Sequence, residues 1–242
     1  MIGTQTRRVR LMAARMLSPA VRSLVFEPVG DPLEYRAGQF VQLTVPTATG
    51  LAMRRPYSVA SAPGFWGRGA FELAVTKVEG GPTSRALHDL PIGAEVVAGG
   101  PNGGWLCLPA DEGEARTLMV ATGSGLAPFR ALIQQEVQAP QGARLALLFG
   151  CRTPEDVLWR DELQGWERSR PRIRVGVTLS RPSPAWDGLV GHVQRHLLEF
   201  VRELEPERVL ICGLSPMVEE VEGMLRKHGL PDKAVRTELY DR

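Results

Sequence analysis

The hydrophobic pattern changes its rhythm near the middle of the chain. In the first part, short runs rich in Val, Leu and Phe partly alternate with polar residues, as in β-strands. The predicted strands are Val9–Leu17, Val21–Glu27, Gln39–Val45, Arg55–Ser61, Phe71–Val78 and Glu95–Gly100. Turn residues such as Gly30-Asp31-Pro32 separate them, and one short helix is predicted at Thr83–Leu90. Short strands at this spacing predict a small antiparallel β-barrel.

From Ala115 onward, predicted strands alternate with predicted helices. The strands are Thr117–Ala121, Leu145–Phe149, Ile173–Leu179, Val209–Cys212 and Ala234–Tyr240. The helices are Leu126–Gln138, Val157–Arg168, Val193–Leu204 and Pro216–His228, the last with Ser215 as its expected N-cap. This alternation predicts a doubly wound α/β domain, with a parallel sheet covered by helices on both faces.

The two rhythms predict two domains. We expect an antiparallel β-barrel over residues 1–110 and an α/β domain over residues 111–242, with the boundary in the polar segment Pro109–Glu114. A chain of 242 residues is long enough for both, because domains commonly hold about 100–150 residues.

Composition narrows the class of protein. The chain is 43% hydrophobic and 23% charged, which disfavours disorder and fibrous folds, and its net charge of +2 gives no general footprint for nucleic acid. Its three cysteines form no C-x-x-C pair, so an iron–sulfur cluster held by four cysteines of this chain is excluded, and we expect no metal site. No segment is apolar enough for a signal peptide or a membrane span, so a cytoplasmic location is expected.

The stretch Arg55-Pro56-Tyr57-Ser58 combines three groups that suit a flavin. A guanidinium pairs with phosphate oxygens, an aromatic face stacks on a planar ring, and a hydroxyl can hydrogen-bond a ring nitrogen. The alternative is an edge strand with a proline and a half-buried tyrosine, and the stretch alone favours that alternative.

Two glycine-rich turns precede predicted helices and are candidate anion sites. Gly81-Pro82-Thr83-Ser84 would bring backbone amides and a hydroxyl to a helix N-terminus, although this piece alone favours an ordinary turn with a Thr or Ser cap. The segment Thr122-Gly123-Ser124-Gly125-Leu126-Ala127-Pro128 follows a buried strand, and only partly matches the dinucleotide fingerprint. Any doubly wound protein can carry such a turn.

Two further segments lie at strand ends, where ligands collect in open α/β sheets. One is Cys212-Gly213, whose cysteine has the alternative of a buried structural role. The other is Glu238-Leu239-Tyr240, which could simply end the last strand.

These motifs, taken in this order from Arg7 to Tyr240, resemble the ferredoxin–NADP reductase superfamily. The resemblance also includes Gly99-Gly100-Pro101-Asn102-Gly103 and Phe149-Gly150-Cys151-Arg152. Each motif is weak, but the ordered set across two differently patterned halves is specific. The resemblance implies a flavin-dependent NAD(P)H oxidoreductase with FAD bound by the barrel, and NADPH or NADH as the diffusible reductant.

The resemblance also implies individual roles. Arg55 would hold the flavin diphosphate together with the segment Gly81–Ser84, Tyr57 would stack on the flavin ring, and Ser58 would lie near its reactive nitrogen. The pyrophosphate of the nicotinamide dinucleotide would contact Thr122, Gly123, Gly125 and Pro128. Arg152 and Gly213 follow at a spacing similar to that of the family. Cys212 would orient the nicotinamide, and Glu238 and Tyr240 would form an acidic and aromatic pair at the flavin face.

Coenzyme preference depends on Ser180-Arg181, which follows the third strand of the second half. An arginine there suits the 2′-phosphate of NADPH. A second arginine found in some NADP enzymes is replaced here by His192.

Four functions remain open from the sequence. The first is electron delivery from NAD(P)H through FAD to a separate carrier such as ferredoxin or flavodoxin. A rival is an NADH-dependent reductase component of an oxygenase, or a free-flavin reductase. A non-catalytic electron-transfer subunit and a barrel fused to an unrelated α/β domain are the alternatives from other classes.

Overall fold

The computed structural model describes residues 6–46, 52–107, 115–138 and 143–240. The predicted boundary at Pro109–Glu114 therefore lies wholly outside the described residues. Two six-stranded sheets make up the fold, and each corresponds to one of the two hydrophobic patterns in the sequence.

The first sheet is antiparallel and contains the N-terminal strands. They are β1 (Thr6–Met16), β2 (Val21–Pro28), β3 (Phe40–Pro46), β4 (Ala52–Ser58), β5 (Phe71–Thr76) and β6 (Glu95–Asn102). Their spatial order is β4-β3-β6-β1-β2-β5. Val59, directly after β4, forms a bridge with Leu73 of β5, so the two end strands of the sheet meet and a barrel forms. This confirms the predicted antiparallel β-barrel.

The barrel interior follows the two-residue period of its strands. On β3, Val41, Leu43 and Val45 are buried, and they join a core with Phe26 and Phe71. Since successive side chains of a strand point to opposite faces, this alternation fixes which face of each strand is inward.

The second sheet is parallel. Its strands are β7 (Thr117–Thr122), β8 (Leu145–Cys151), β9 (Ile173–Leu179), β10 (Leu189–Val190), β11 (Arg208–Gly213) and β12 (Val235–Leu239), in the spatial order β10-β9-β8-β7-β11-β12. The helices are α1 (Pro82–His88), which belongs to the barrel, and α2 (Leu126–Gln138), α3 (Arg160–Ser169), α4 (Val193–Leu204) and α5 (Ser215–Lys227). The short β10 was not predicted.

Helices cover both faces of the parallel sheet, as predicted. Along β7, Met119 packs with α2 and α3 on one face, whereas Leu118 and Val120 pack with α4 and α5 on the other. Strands buried on both faces read as continuous hydrophobic runs, which is the pattern seen in the sequence.

Three helix starts differ from the prediction, and the first is α1, which begins at Pro82 rather than at Thr83. Helix α5 begins one residue early, because the carbonyl of Leu214 already accepts hydrogen bonds from Met217 and Val218, so Leu214 rather than Ser215 is the N-cap. Helix α3 begins late, at Arg160, because Trp159 adopts a left-handed backbone with φ of 46°.

No helix in the described part of the chain is both long and apolar enough to cross a lipid bilayer.

Candidate active site at the junction of the two sheets

A cavity of about 690 Å³ opens at the carboxyl ends of the parallel strands, where open α/β sheets collect ligands. The parallel sheet lines it with strand ends and the loops that follow them: Thr122, Gly123, Ser124, Gly150, Arg152, Ser180, Gly213 and Leu214. The barrel supplies the facing wall through Ser18, Ala20, Val21, Thr76 and Lys77. The cavity thus lies between the two sheets.

The predicted dinucleotide loop packs directly on the end of β11. A Cβ added to Gly125 would lie 2.3 Å from the carbonyl oxygen of Cys212, and one added to Gly213 would lie 2.4 Å from Oγ1 of Thr122. Gly123 has φ of 55° and open space where its Cβ would be. Two of the predicted glycines therefore have a packing role, and Gly123 leaves room beside the backbone.

Pro128 is buried as the third residue of α2. Its missing N–H costs no helical hydrogen bond in the first turn. Its observed role is to shape the start of the helix.

Ser58, Cys212, Glu238 and Tyr240 come together where β4 meets the ends of β11 and β12. The Ser58 hydroxyl donates to Oε1 of Glu238 at 2.7 Å, although 180 positions separate the two residues in the sequence. Glu238 pairs in register with Cys212 on the neighbouring strand. The two halves of the chain therefore build this cluster jointly.

Burial raises the pKa of the acidic groups in the cluster. The pKa of Glu238 is raised by desolvation, and the hydrogen bond from Ser58 opposes this only in part. Desolvation also raises the pKa of the Cys212 thiol and of the Tyr240 hydroxyl well above their usual values. The cluster thus favours neutral groups.

Tyr240 contacts both the cavity and Cys212. It lines the cavity, whereas Cys212 is fully buried and does not. The Tyr240 hydroxyl is buried and interacts with the side chains of Ser58 and Cys212, although neither contact has good hydrogen-bond geometry. Tyr240 is therefore part of the same cluster.

The predicted flavin stretch lies on β4, at one end of the barrel sheet order. Arg55 is exposed, donates only to the carbonyl of Arg54 at 3.0 Å, and forms no ion pair with a described residue. Pro56 is exposed, and Tyr57 is half-buried against the barrel core, with its pKa raised to about 12 by desolvation. The stretch is an edge strand that also carries a cation with no ion-pair partner among the described residues.

The turn before α1 uses its two hydroxyl groups differently. The Ser84 hydroxyl accepts from the Val78 amide at 3.1 Å and donates to the Gly81 carbonyl at 3.0 Å, so it stabilises the turn. The Thr83 hydroxyl is buried without a hydrogen-bond partner among the described residues. Pro82 begins the helix, so Thr83 is the available hydroxyl of this motif.

Cationic groups lie at the end of the cavity near β8 and β9. Arg152 and Ser180 line the cavity, and His192 lies beside them at the start of α4. Arg181 is exposed and donates its backbone N–H to the carbonyl of Arg152 at 2.7 Å. The predicted coenzyme residues are therefore adjacent at one edge of the cavity.

Sequence reasoning missed the barrel residues of the cavity. The Thr76 hydroxyl lies 2.9 Å from the Ser124 hydroxyl and so joins β5 to the dinucleotide loop. Lys77 follows it and adds a cation to the cavity wall. Their place in the sequence, just before the candidate anion-binding turn at Gly80-Gly81, was the available indication that they belong to a site. It is the tertiary fold that brings them to the dinucleotide loop.

Comparison with known proteins agrees with this arrangement. The family described as "Oxidoreductase FAD-binding domain" matches residues 8–106, and the family described as "Oxidoreductase NAD-binding domain" matches residues 119–223. The first match falls on the barrel and the second on the parallel sheet as far as α5, in the order predicted. A barrel joined to an unrelated α/β domain is thereby excluded.

Individual relatives support the same grouping. The chain is 43% identical over 249 residues to ferredoxin–NADP reductase B of Sorangium cellulosum, a match that covers 100% of both chains. It is 30% identical over 187 residues to NADH-cytochrome b5 reductase 1 of Cryptococcus neoformans, covering 72% of this chain and 62% of that protein. The CS-b5R domains of human Ncb5or share its fold, with a TM-score of 0.85 at 22% identity over 97% of this chain and 70% of that one.

We expect Gly125→Ala to destabilise the protein by about 1–3 kcal/mol, because its Cβ would overlap the backbone of Cys212. Thermal unfolding measures the loss. The matched control is Gly223→Ala on α5, where a Cβ meets nothing within 4 Å and a gain of about 0.5–1 kcal/mol is expected. Similar effects of the two substitutions would contradict the close packing of the loop on β11.

Glu238→Gln should gain stability relative to the unsubstituted protein as the pH rises from about 4 to about 7. At low pH both the folded and the unfolded chain hold the Glu238 proton. As the pH rises, the unfolded chain ionises freely while the raised pKa opposes ionisation in the folded one, so Glu238 subtracts from stability.

Unfolding midpoints across this pH range measure the effect, and we expect the difference between the two proteins to widen by about 2–4 °C. Glu219→Gln, at an exposed position on α5, is the control. A difference that stays constant with pH would contradict the raised pKa of Glu238.

Proposed function

Because this chain belongs to the ferredoxin–NADP reductase superfamily of flavin-dependent NAD(P)H oxidoreductases, we propose that it delivers electrons from NADPH through FAD to a separate carrier protein. The observation that carries the proposal is the cluster of Ser58, Cys212 and Glu238, in which the barrel and the parallel sheet meet through a hydrogen bond of 2.7 Å. The barrel sheet supplies Ser58, and the parallel sheet supplies Cys212 and Glu238.

The barrel residues fit FAD in two respects. Arg55 carries a charge that no described carboxylate neutralises, and it suits a diphosphate. The Thr83 hydroxyl is buried without a partner beside the glycine-rich turn, so it has a hydrogen bond to give. We propose that these two residues hold the diphosphate and that Tyr57 packs against the ring.

The parallel sheet fits the nicotinamide dinucleotide. In our proposal, the pyrophosphate is received by the loop at Thr122 and Gly123, where the backbone is open and the helix α2 that follows favours negative charge. Lys77 and Arg152 add cations from the two walls of the cavity. Leu214 and Tyr240 enclose the end near Cys212.

The chemistry supplied by a bound flavin is acceptance of a hydride and release of single electrons. The protein contributes position, since two reactants held in contact gain a large advantage over free encounter. In our proposal, Cys212 limits how deeply a nicotinamide can enter, and Ser58 supplies a hydroxyl from the barrel side of the cluster. Tyr240 covers this position and must move aside for the nicotinamide.

The same cluster can hold a proton. Because desolvation raises the pKa of Glu238, its carboxyl group retains a proton at a higher pH than an exposed glutamate does. The Ser58 hydroxyl is its hydrogen-bond partner. We propose that this pair keeps charge out of the contact between the two walls.

NADPH is the proposed donor because Arg152, Ser180 and Arg181 are adjacent at one edge of the cavity. A guanidinium group suits the 2′-phosphate that distinguishes NADPH from NADH. NADH is the second candidate, supported by the similarity to an NADH-cytochrome b5 reductase and by His192. Such a preference would suit a reductase component of an oxygenase or a free-flavin reductase.

A cationic patch formed by Arg36, Trp105 and Arg236 is the proposed docking surface for the carrier. Trp105 is 64% exposed and lies against the Arg236 guanidinium, 5.6 Å from its ring centre. Arg36 and Arg236 both lie close to Cys107, and neither forms an ion pair with a described residue. The patch is near the cluster, because Arg236 precedes Glu238 by two positions on β12.

An exposed aromatic ring flanked by two guanidinium groups suits an acidic partner surface. Ferredoxin and flavodoxin are the carriers proposed here, and their acidic members would be favoured. No residue of this patch lines the dinucleotide cavity, so donor and carrier would use different surfaces.

The purified protein is expected to show flavin absorbance that is bleached by NADPH, and less readily by NADH. Anaerobic titration with each nucleotide tests the function and ranks the two donors. A colourless protein that cannot be reconstituted with FAD would overturn the proposal.

Cys212→Ala should slow flavin reduction by about 10–100-fold while flavin content stays unchanged, because the substitution alters nicotinamide placement only. Stopped-flow absorbance measures the rate. Cys107→Ala is the control, since that buried cysteine lies outside the cluster and the cavity. Equal loss of flavin binding and reduction in Cys212→Ala would contradict the role.

Reversing both cations of the patch, in Arg36→Glu combined with Arg236→Glu, should raise the KM for an acidic ferredoxin about tenfold or more. Electrostatic attraction would become repulsion, while reduction of the flavin by NADPH should be unchanged. Arg168→Glu combined with Arg202→Glu, at exposed positions on α3 and α4, makes the same change in net charge and tests whether net charge alone has this effect. An unchanged KM at low ionic strength would rule out the patch as the docking surface.

A further inference from the structure

A buried arginine on helix α2 connects the two sheets. Arg130 is 1% exposed, and its guanidinium reaches partners from both halves of the chain. Toward the barrel, Nη1 donates to the Ala60 carbonyl at 2.6 Å and to Oε2 of Glu72 at 2.8 Å. Toward α3, Nε and Nη2 bind Glu162 at 2.9 Å and 2.6 Å.

Glu72, the barrel partner, is also 1% exposed and lies on β5. Its carboxylate accepts from the Ser23 hydroxyl at 2.6 Å and from the indole N–H groups of Trp66 and Trp159 at 3.2 Å each. The Trp159 ring also lies 4.5 Å from the Arg130 guanidinium. Every polar side-chain atom of Arg130 and of Glu72 has a hydrogen-bond partner, as buried ions require.

A second residue of the same helix strengthens this connection. The side-chain oxygen of Gln134 accepts from the Ala62 amide at 2.9 Å, and its nitrogen donates to Glu162 at 3.1 Å. Helix α2 therefore holds the backbone at Ala60 and Ala62, which directly follows the proposed flavin residue Ser58.

The same helix begins at the proposed dinucleotide loop. Ser124 of that loop is hydrogen-bonded to Thr76 of β5, four residues beyond Glu72 on the same strand. Strand β5 and the segment from Ser124 to Arg130 are thus joined at two separated points. Two attachments prevent the rotation that a single attachment would allow.

We propose that Arg130 is a positioning residue, which holds the dinucleotide loop and the Ser58 segment in a fixed relation and so sets the geometry of hydride transfer. The proposal rests on the function proposed above. It assigns no contact with substrate to Arg130, which acts through α2 and through the backbone at Ala60. Hydride transfer is sensitive to such placement, because displacements of about 1 Å can cost about a hundredfold in rate.

Two variants test the role. Arg130→Lys keeps the positive charge beside Glu72. A lysine ammonium lacks the planar, forked guanidinium, so it cannot bind Ala60, Glu72 and Glu162 at the same time. Gln134→Met is uncharged and similar in size, and it removes the acceptor of the Ala62 amide. The second variant keeps the test decisive if the first one fails to fold.

We expect flavin reduction by NADPH to slow at least tenfold in either variant, while the dissociation constant for NADPH changes less than twofold and flavin content is unchanged. Hydrogen exchange at the Ala62 amide, measured in the oxidised protein without nucleotide, should accelerate at least tenfold. This readout reports the connection itself and does not depend on catalysis.

Leu197→Ala is the control for a loss of stability alone. Leu197 is fully buried on α4, among residues on the other face of the parallel sheet. It should lower the unfolding midpoint but leave the reduction rate and Ala62 exchange as in the unsubstituted protein, well below the midpoint.

Three results would overturn the inference. They are unchanged Ala62 exchange in both variants, an unchanged reduction rate in variants whose exchange accelerates, and equal slowing in Leu197→Ala. An unsubstituted protein whose flavin neither nucleotide reduces would instead refute the proposed function, and the exchange measurement would still show whether Arg130 joins the two sheets.

Discussion

The buried ion pair between Arg130 and Glu72 is the constraint on which the arrangement of the two sheets depends. Removing an ion from water costs several kcal/mol, and only close, fully hydrogen-bonded partners offset that cost. Here the partners come from the barrel, from α2 and from α3 together, so the charges are satisfied in one docking of the two halves. The pair therefore contributes more to specifying this docking than to net stability.

That docking creates the candidate site. The barrel alone would present Ser58 at the end of a strand, and the parallel sheet alone would present Glu238 at the end of another. The hydrogen bond between them exists because the sheets meet at this point. The raised pKa of Glu238 has the same origin, since it comes from desolvation at the junction. Position and electrostatics at the site are both consequences of the contact between the sheets.

The periodicity of the sequence predicts most of the fold. Alternating positions on β3 and continuous apolar runs on β7 distinguish the antiparallel from the parallel sheet, because the first is buried on one face and the second on both. The predicted start of α5 was wrong by one residue, because Pro216 is compatible with more than one position in the first helical turn.

The site could be predicted only in part. The ordered set of weak motifs predicted Ser58, Cys212 and Glu238 individually as site residues. Local sequence contains no information on which strand ends will meet. Thr76 was missed for that reason. Arg130 and Glu72 left a recognisable indication, since each is a charged residue within an apolar segment, flanked by Phe129 and Ala131 or by Phe71 and Leu73. A charge at a position patterned for burial requires a partner from elsewhere in the fold.

The last strand links the two proposed surfaces. Arg236 and Glu238 are two positions apart on β12, so their side chains lie on the same side of that strand. Arg236 belongs to the cationic patch, and Glu238 belongs to the cluster beside the cavity. In the proposed function, the docking patch therefore lies close to the cluster, since Arg236 and Glu238 are only about 7 Å apart along extended backbone. Donor and carrier can use different surfaces beside the same cluster, because a single five-residue strand contributes to both the patch and the cluster.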